Sequence, residues 1–440
     1  MKKLKFISSI AFLGTMLCGC TFEYNYNVTP YPGSLNGNLG YEDTGVDDEG
    51  TYNDLVIWCD ERIKSNIEGL MSRFIMNNSQ KYKINYTINT TGEDSAASSM
   101  IENVKAGADI FIFAQDQLTR LKTAGALSMI TGKMKTAITE ESQEEAVEAA
   151  TLNGKLYAFP FTSDNGYFMY YDKRIFPNEE DVSSIENIMA VLQREGKKIS
   201  YPVFTNGWYS TSYFMAAGCE SNWEVNSKNE FIGYEDTYAS DKGLVACRGL
   251  AALKQYESLF STKDVADMKE GDTKVVISGV WDYEIAHSKM GDDLGCTKMP
   301  TFTVNTAPSG QPEKIETINI SSYMGYKLVG VKPSSDEKRQ SVCKKIARYI
   351  SNEDAQRERF MAVNWGPTNV SAAADEGVLS HPGLNALLAQ KPYAKPQVST
   401  PDNWFSNVSA LAASISFGMS DSDMKAELNK YKNNLPSFLD

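Results

Sequence analysis

The stretch from Asp54 to Gly125 switches repeatedly between two periodicities, and that alternation limits the fold more than any other feature. DLVIWC, Asp54 to Cys59, is a short apolar run of buried-strand type. ERIKSNIEGLMSRFI follows it with Ile63, Ile67, Leu70 and Phe74 at helical spacing, and YKINYTI then alternates Tyr82, Ile84, Tyr86 and Ile88 on one face. SAASSMIENVKAG predicts a second helix closed by Gly107, and ADIFIF predicts another buried strand. A third helix begins at Asp116 and stops at Gly125. Strands alternating with helices imply a parallel sheet wrapped by helices, an α/β fold. Further along, TKVVISGVW reads as a strand running into a turn, and SSDEKRQSVCKKIARYIS as a capped helix. Ligands of open parallel sheets bind at the carboxyl ends of the strands. The residues just after ADIFIF and TKVVISG are therefore the first places to seek a site.

The start of the chain has a different logic. Lys2, Lys3 and Lys5 precede an apolar run from Phe6 to Leu17, which is too short for the about 20 residues of a membrane span. It has the form of a secretory signal. Its end, Leu17-Cys18-Gly19-Cys20, resembles the bacterial lipobox, which implies cleavage after Gly19 and lipidation of Cys20. Acyl chains on one Cys anchor a protein to a membrane face without spanning it. From Thr21 to about Asn53 the chain is rich in Gly, Asn, Pro and acid without any period, the composition of a flexible spacer. The expectation is a signal at 1–19, a lipidated spacer at 20–53, and a body in water at the extracellular face of the cell membrane.

That body, about 390 residues, is long enough for two domains. The full chain has 42% hydrophobic and 22% charged residues, enough for the body to build real cores. A net charge of −13 disfavours nucleic acid, which requires a basic face. Five cysteines follow Cys20 (Cys59, Cys219, Cys247, Cys296 and Cys343), widely spaced and without a CxxC pair, so neither a zinc cluster nor a disulfide framework is indicated. Only two histidines exist, His287 and His381, and neither sits in a nucleophile motif. No phosphate-binding glycine loop occurs, and no metal or cofactor is expected.

Five motifs then occur in order: DLVIWCDE, ADIFIFAQDQLTRLKTAGALSMI, NGKLYAFPF with YYDKRIFP, GDTKVVISGVWDYE, and LGCTKMPTF. With YISNEDAQRERFMAVNWGPT and PDNWFSNV, this ordered set resembles the maltose-binding family, the extracellular solute-binding proteins that feed sugar ABC importers. The resemblance covers nearly all of residues 54–440. It implies a two-lobed periplasmic-binding-protein fold, each lobe a sheet wrapped by helices, with the ligand cleft between lobes. The expected lobes are discontinuous, 54–162 with 322–370 and 165–320 with 373–440. Crossings are placed near Thr162–Gly166, Ile320–Tyr323 and Thr368–Ala373. Its implied partners are an oligosaccharide ligand, the permease subunits of an ABC transporter and the membrane through the lipid anchor, with the protein itself a monomer.

A sugar ring needs flat aromatic surfaces for its C–H faces and carboxylates, amides or Arg for its hydroxyl rim. By resemblance Trp281 and Trp404 match stacking tryptophans, and Tyr209 matches a Tyr of the opposite wall, with Trp208 beside it as an equal candidate. Phe113 stands where maltose binders carry Trp. Asp116 matches a hydroxyl-binding Asp and is equally readable as a helix N-cap. Asp164 matches an acidic ligand residue, to within one position. Gln117 replaces an Arg, Gly207 replaces a ligand Glu, and Glu61 with Arg62 stand near a family Lys. Trp58 reads as core, Trp223 as surface or partial core, and Trp365 equally as packing or cleft lining. An alternative class is a secreted glycoside-acting enzyme using two carboxylates, and another is a surface sensor or adhesin reusing the fold.

Overall fold

The computed structural model describes residues 44–439 except Asp94, Ser227, Asn229 and Asp402. The expected signal, Cys20 and most of the spacer lie outside the described residues. Two sheets organise the rest. The first runs in the order Tyr82–Thr90, Gly50–Cys59, Ile110–Ala114, Lys327–Val331, Ala158–Thr162. Its first three strands are parallel, as the sequence alternation requires. The second has the order Leu294–Thr297, Phe168–Asp172, Thr273–Ser278, Lys198–Ser200.

Each sheet also carries an antiparallel strand, which the expectation of a purely parallel sheet missed. Lys327–Val331 runs against both of its neighbours, and so does Phe168–Asp172. Both strands follow a passage from one sheet to the other, so the chain enters them from the opposite direction.

Burial follows the periodicities. The strand Ile110–Ala114 is buried at every position. The helix Lys64–Asn77 buries Ile67, Leu70, Met71 and Phe74 against that sheet, on the stripe expected. Asp336 caps the helix Glu337–Ser351 by accepting from the Lys338 and Arg339 amides, satisfying two otherwise orphan donors. The second sheet is packed on both faces. Tyr167 and Met169 enter one core while Phe168 and Tyr170 enter another, the period-2 alternation of a strand with no wet side. The helix expected over 95–107 ends earlier, at Glu102.

The body begins before Asp54. The first strand starts at Gly50, and Asp48 is buried, ion-paired with Lys345 at 2.8 Å and accepting from Ser341 Oγ at 2.6 Å. Asp54 itself has φ +57° at a shift of register between Tyr52 and Leu55. The polar break read as the end of a spacer is a bulge inside a strand.

Three passages join the sheets: residues 163–167, the stretch through Ser322–Met324, and the segment between the helices Glu353–Val363 and Pro382–Gln390. The second is steadied by parallel pairing of Ser322–Met324 with Ala394–Pro396. No helix among the described residues is long and apolar enough to cross a membrane. The five described cysteines are free, and burial pushes the Cys59 and Cys343 thiols up to about 12, which makes them inert packing groups.

Candidate ligand-binding cleft

A cavity of about 520 Å³ opens between the two sheets. Its first wall is built from three strand ends. Asp60 and Arg62 follow Gly50–Cys59, Glu93 follows Tyr82–Thr90, and Asp116 follows Ile110–Ala114. These are the carboxyl ends of the parallel strands, where an open sheet presents side chains to a ligand. The antiparallel strand Lys327–Val331 adds Lys327 at its first residue.

This wall is charged but internally paired. Arg62 donates to both oxygens of Asp60, at 2.7 and 2.8 Å, and this holds the Asp60 carboxyl below the usual range despite burial. Lys327 Nζ lies 3.6 Å from Glu93 Oε1 and 3.5 Å from the centre of the Trp365 ring. Glu93 is only 7% exposed, and that burial pushes its carboxyl upward in spite of Lys327. A surface of mutually compensated donors and acceptors suits a neutral, hydroxyl-rich molecule.

The opposite wall is aromatic. Trp281 follows the strand Thr273–Ser278, and Trp208 lies in the first turn of the helix Gly207–Ala216, which Asn206 caps by accepting from the Trp208 amide. The two indoles are 6.2 Å apart and tilted 45°. Trp208 also stacks on Tyr323 (6.0 Å, 21°) and donates from Nε1 to Gln397 Oε1 at 2.9 Å. Phe405 completes the apolar surface.

The model of the bacterial extracellular solute-binding proteins matches residues 75–386, more than half of the chain. The protein belongs to that family. No curated protein matches it by sequence. Among solved structures, the maltodextrin-binding protein MalE1 of L. casei BL23, without ligand, is similar at 18% identity and a TM-score of 0.71, over 88% of this chain and 99% of that one. The GacH receptor of Streptomyces glaucescens, solved unliganded and with acarbose, is similar at 16% identity and a TM-score of 0.68, over 88% and 99%. A cyclo/maltodextrin-binding protein complexed with maltotetraose is similar at 16% and 0.64, over 88% and 98%. At such identities the likeness establishes the two-lobed fold.

Within this solute-binding protein the expected residues divide. Arg62, Asp116, Gln117, Trp208 and Trp281 come together around the cavity. Gln117 also accepts from the Ala97 amide at 3.1 Å, so it anchors a neighbouring helix. Asp116 is not an N-cap, since Ala114 and Gln117 hold those positions. Glu61 is exposed and lies off the cavity lining, between Asp60 and Arg62 which are both on it.

Four expectations fail on geometry. Trp404 is 1% exposed, its Nε1 donating to Tyr431 Oη at 2.8 Å, so it is a core residue and its neighbour Phe405 faces the cleft. Phe113 is fully buried beside Phe111, because a strand covered on both faces points no ring outward. Asp164 is fully buried near Arg359, whose guanidinium burial pushes down to about 9 against the pull of that carboxylate. Asn165, one residue on, lines the cavity instead. Tyr209 turns away from the cleft toward a second cavity, while Trp208 takes the wall.

Gly207 has a packing reason. A Cβ there would meet the Phe405 carbonyl oxygen at 1.9 Å, so the helix approaches the Phe405 backbone only because the position is Gly. Sequence reasoning missed Glu93, Lys327 and Gln397. Lys327 was detectable as a lone charge opening the apolar run KLVGV; Glu93 and Gln397 lie in loops with no local signal.

Proposed function

We propose that this protein is the lipid-anchored binding subunit of a carbohydrate ABC importer, and that it captures a maltodextrin-like oligosaccharide by closing its two lobes. The observation that carries the reading is the opposition of the tilted Trp208–Trp281 pair to the Asp60–Arg62 and Glu93–Lys327 pairs across one cavity. Flat rings cover the C–H faces of a sugar, and the paired charges meet its hydroxyls. The maltodextrin and acarbose ligands of proteins with the same fold support the class. Contacts to both walls exist only when the lobes are together, so ligand favours the closed form. The three passages between sheets are the places where backbone rotation would occur. Capture without turnover fits a site whose Asp60 carboxylate is locked to Arg62.

Calorimetric titration with maltotriose, followed also by Trp fluorescence, tests this. Micromolar binding with a fluorescence change and no release of glucose supports it. Hydrolysis would move the protein to the glycoside-acting enzymes, and silence toward every sugar of a panel would remove the carbohydrate reading. Anchoring at Cys20 is checked separately by palmitate labelling of cells, which Cys20→Ala should abolish.

A further inference from the structure

We infer that the protein carries a second saccharide-binding chamber, built from the second sheet alone, which receives sugar units beyond those held in the cleft. This rests on the carbohydrate reading above. A cavity of about 440 Å³ lies at the carboxyl ends of Lys198–Ser200 and Thr273–Ser278, the parallel strand pair of that sheet. It is the same kind of position that the first sheet offers to the cleft.

The linings of the two cavities interleave along the chain. Trp208 faces the cleft and Tyr209 the chamber; Trp281 faces the cleft and Asp282 the chamber; Asn206 and Thr205 divide likewise. Asp282 is close enough to the cleft to feel the charge of Arg62 across it. On this reading a chain of sugars extending past Trp281 enters the chamber, which borders the cleft where Trp281 gives way to Asp282.

The chamber has sugar-binding chemistry of its own. The half-buried Phe260 and Tyr209 offer ring surface to the space, each backed by a buried ring, Phe204 edge to face with Phe260 at 5.4 Å and Tyr201 with Tyr209 at 6.4 Å. Asp282 accepts from Ser278 Oγ at 2.6 Å, and a carboxylate has acceptor capacity for about four hydrogen bonds. Asp282 and Asp264 stand against Lys263 on the lining while Glu257 is paired with Lys254 Nζ at 2.8 Å, a balance that disfavours phosphate or uronate and suits a neutral pyranose. Every lining residue falls between Ser200 and Asp282. Sugar bound there touches one sheet only, so it adds affinity without biasing closure, because both open and closed forms offer the contact equally.

Thr262 is exposed at the chamber's edge, so Thr262→Trp fills the space without disturbing either core. The full-length protein, Thr262→Trp and Phe260→Ala are titrated calorimetrically with maltotriose and with maltoheptaose, and their melting temperatures compared. The expected result is maltoheptaose binding about tenfold tighter than maltotriose in the wild type, an advantage of the size an aromatic subsite confers. Both variants should lose that advantage while maltotriose affinity stays unchanged. Equal wild-type affinities for the two sugars, variants that bind maltoheptaose like wild type, or equal weakening of both sugars would each overturn the chamber. A wild type that binds neither sugar would instead fail the carbohydrate reading itself and take the chamber with it.

Discussion

The two walls of the cleft solve one problem with opposite materials. The first sheet presents charged groups on three strand ends and pairs those on two of them: Arg62 on Asp60, Lys327 on Glu93 and over Trp365. The second presents rings, held by packing and by one hydrogen bond from the Trp208 indole to Gln397. Charged groups brought out of water need partners before the ligand arrives, since an unpaired buried charge is costly. Rings need only a rigid backing. The difference teaches that altering the charged wall should disturb folding and binding together, whereas altering the aromatic wall should separate them.

The pair Trp404 and Trp281 gives the largest contrast. Trp404→Ala should destabilise the protein by about 3–5 kcal/mol, the range for truncating a buried aromatic ring, because it opens a cavity and removes the hydrogen bond that the Tyr431 hydroxyl accepts, leaving only the one it donates to Asp236. Denaturant unfolding measures it. Trp281→Ala should cost about 2 kcal/mol of sugar affinity, as central aromatic anchors do, with little change in melting temperature. If Trp281→Ala melted far below wild type while keeping its affinity, the aromatic wall would be core and the comparison of the walls would collapse. Gln397→Ala comes next. It removes the acceptor of the Trp208 indole, so about 1 kcal/mol of affinity should go, with Trp208 emission shifted in the unliganded protein. An unchanged spectrum with full affinity would show that Tyr323 stacking alone sets the ring.

How much of this was legible in the sequence follows from what each signal encodes. Periodicity marks burial, so the strands at 54–59 and 110–114 and the helix stripe Ile67, Leu70, Phe74 could be read directly. The antiparallel strands could not, because direction depends on where the chain re-enters a sheet. Strand ends pointed to Asp116 and Trp281, and both line the cavity, since the carboxyl end of a parallel strand is a fixed place; Arg62, also on the lining, came from the resemblance. Positions on helices and passages were uncertain by a single residue: Phe405 lines the cavity instead of Trp404, Asn165 instead of Asp164, and of the two candidates Trp208 and Tyr209 it is Trp208. One residue turns a side chain by about 100° on a helix, enough to exchange cleft for core. Gln397 reaches the site from a loop 189 residues from its partner, a contact no local pattern encodes.

The smallest effect tests the charged wall through pH. Burial raises the Glu93 carboxyl above its ordinary value of 4.5, with Lys327 opposing the rise. The folded state therefore holds the Glu93 proton more tightly than the unfolded state does. An acid shifted upward favours folding below its unfolded value, and this contribution is lost as pH rises from 4.5 through the folded value. Glu93→Gln has no such proton, so its stability should lack that component. The stability difference, wild type minus Glu93→Gln, should thus decline as pH increases from below 4.5 toward neutrality. Melting curves of the two proteins across that range measure the slope. A difference that grows with pH would mean that Lys327 outweighs burial, and that Glu93 belongs with Asp60 as a carboxylate stabilised by its partner.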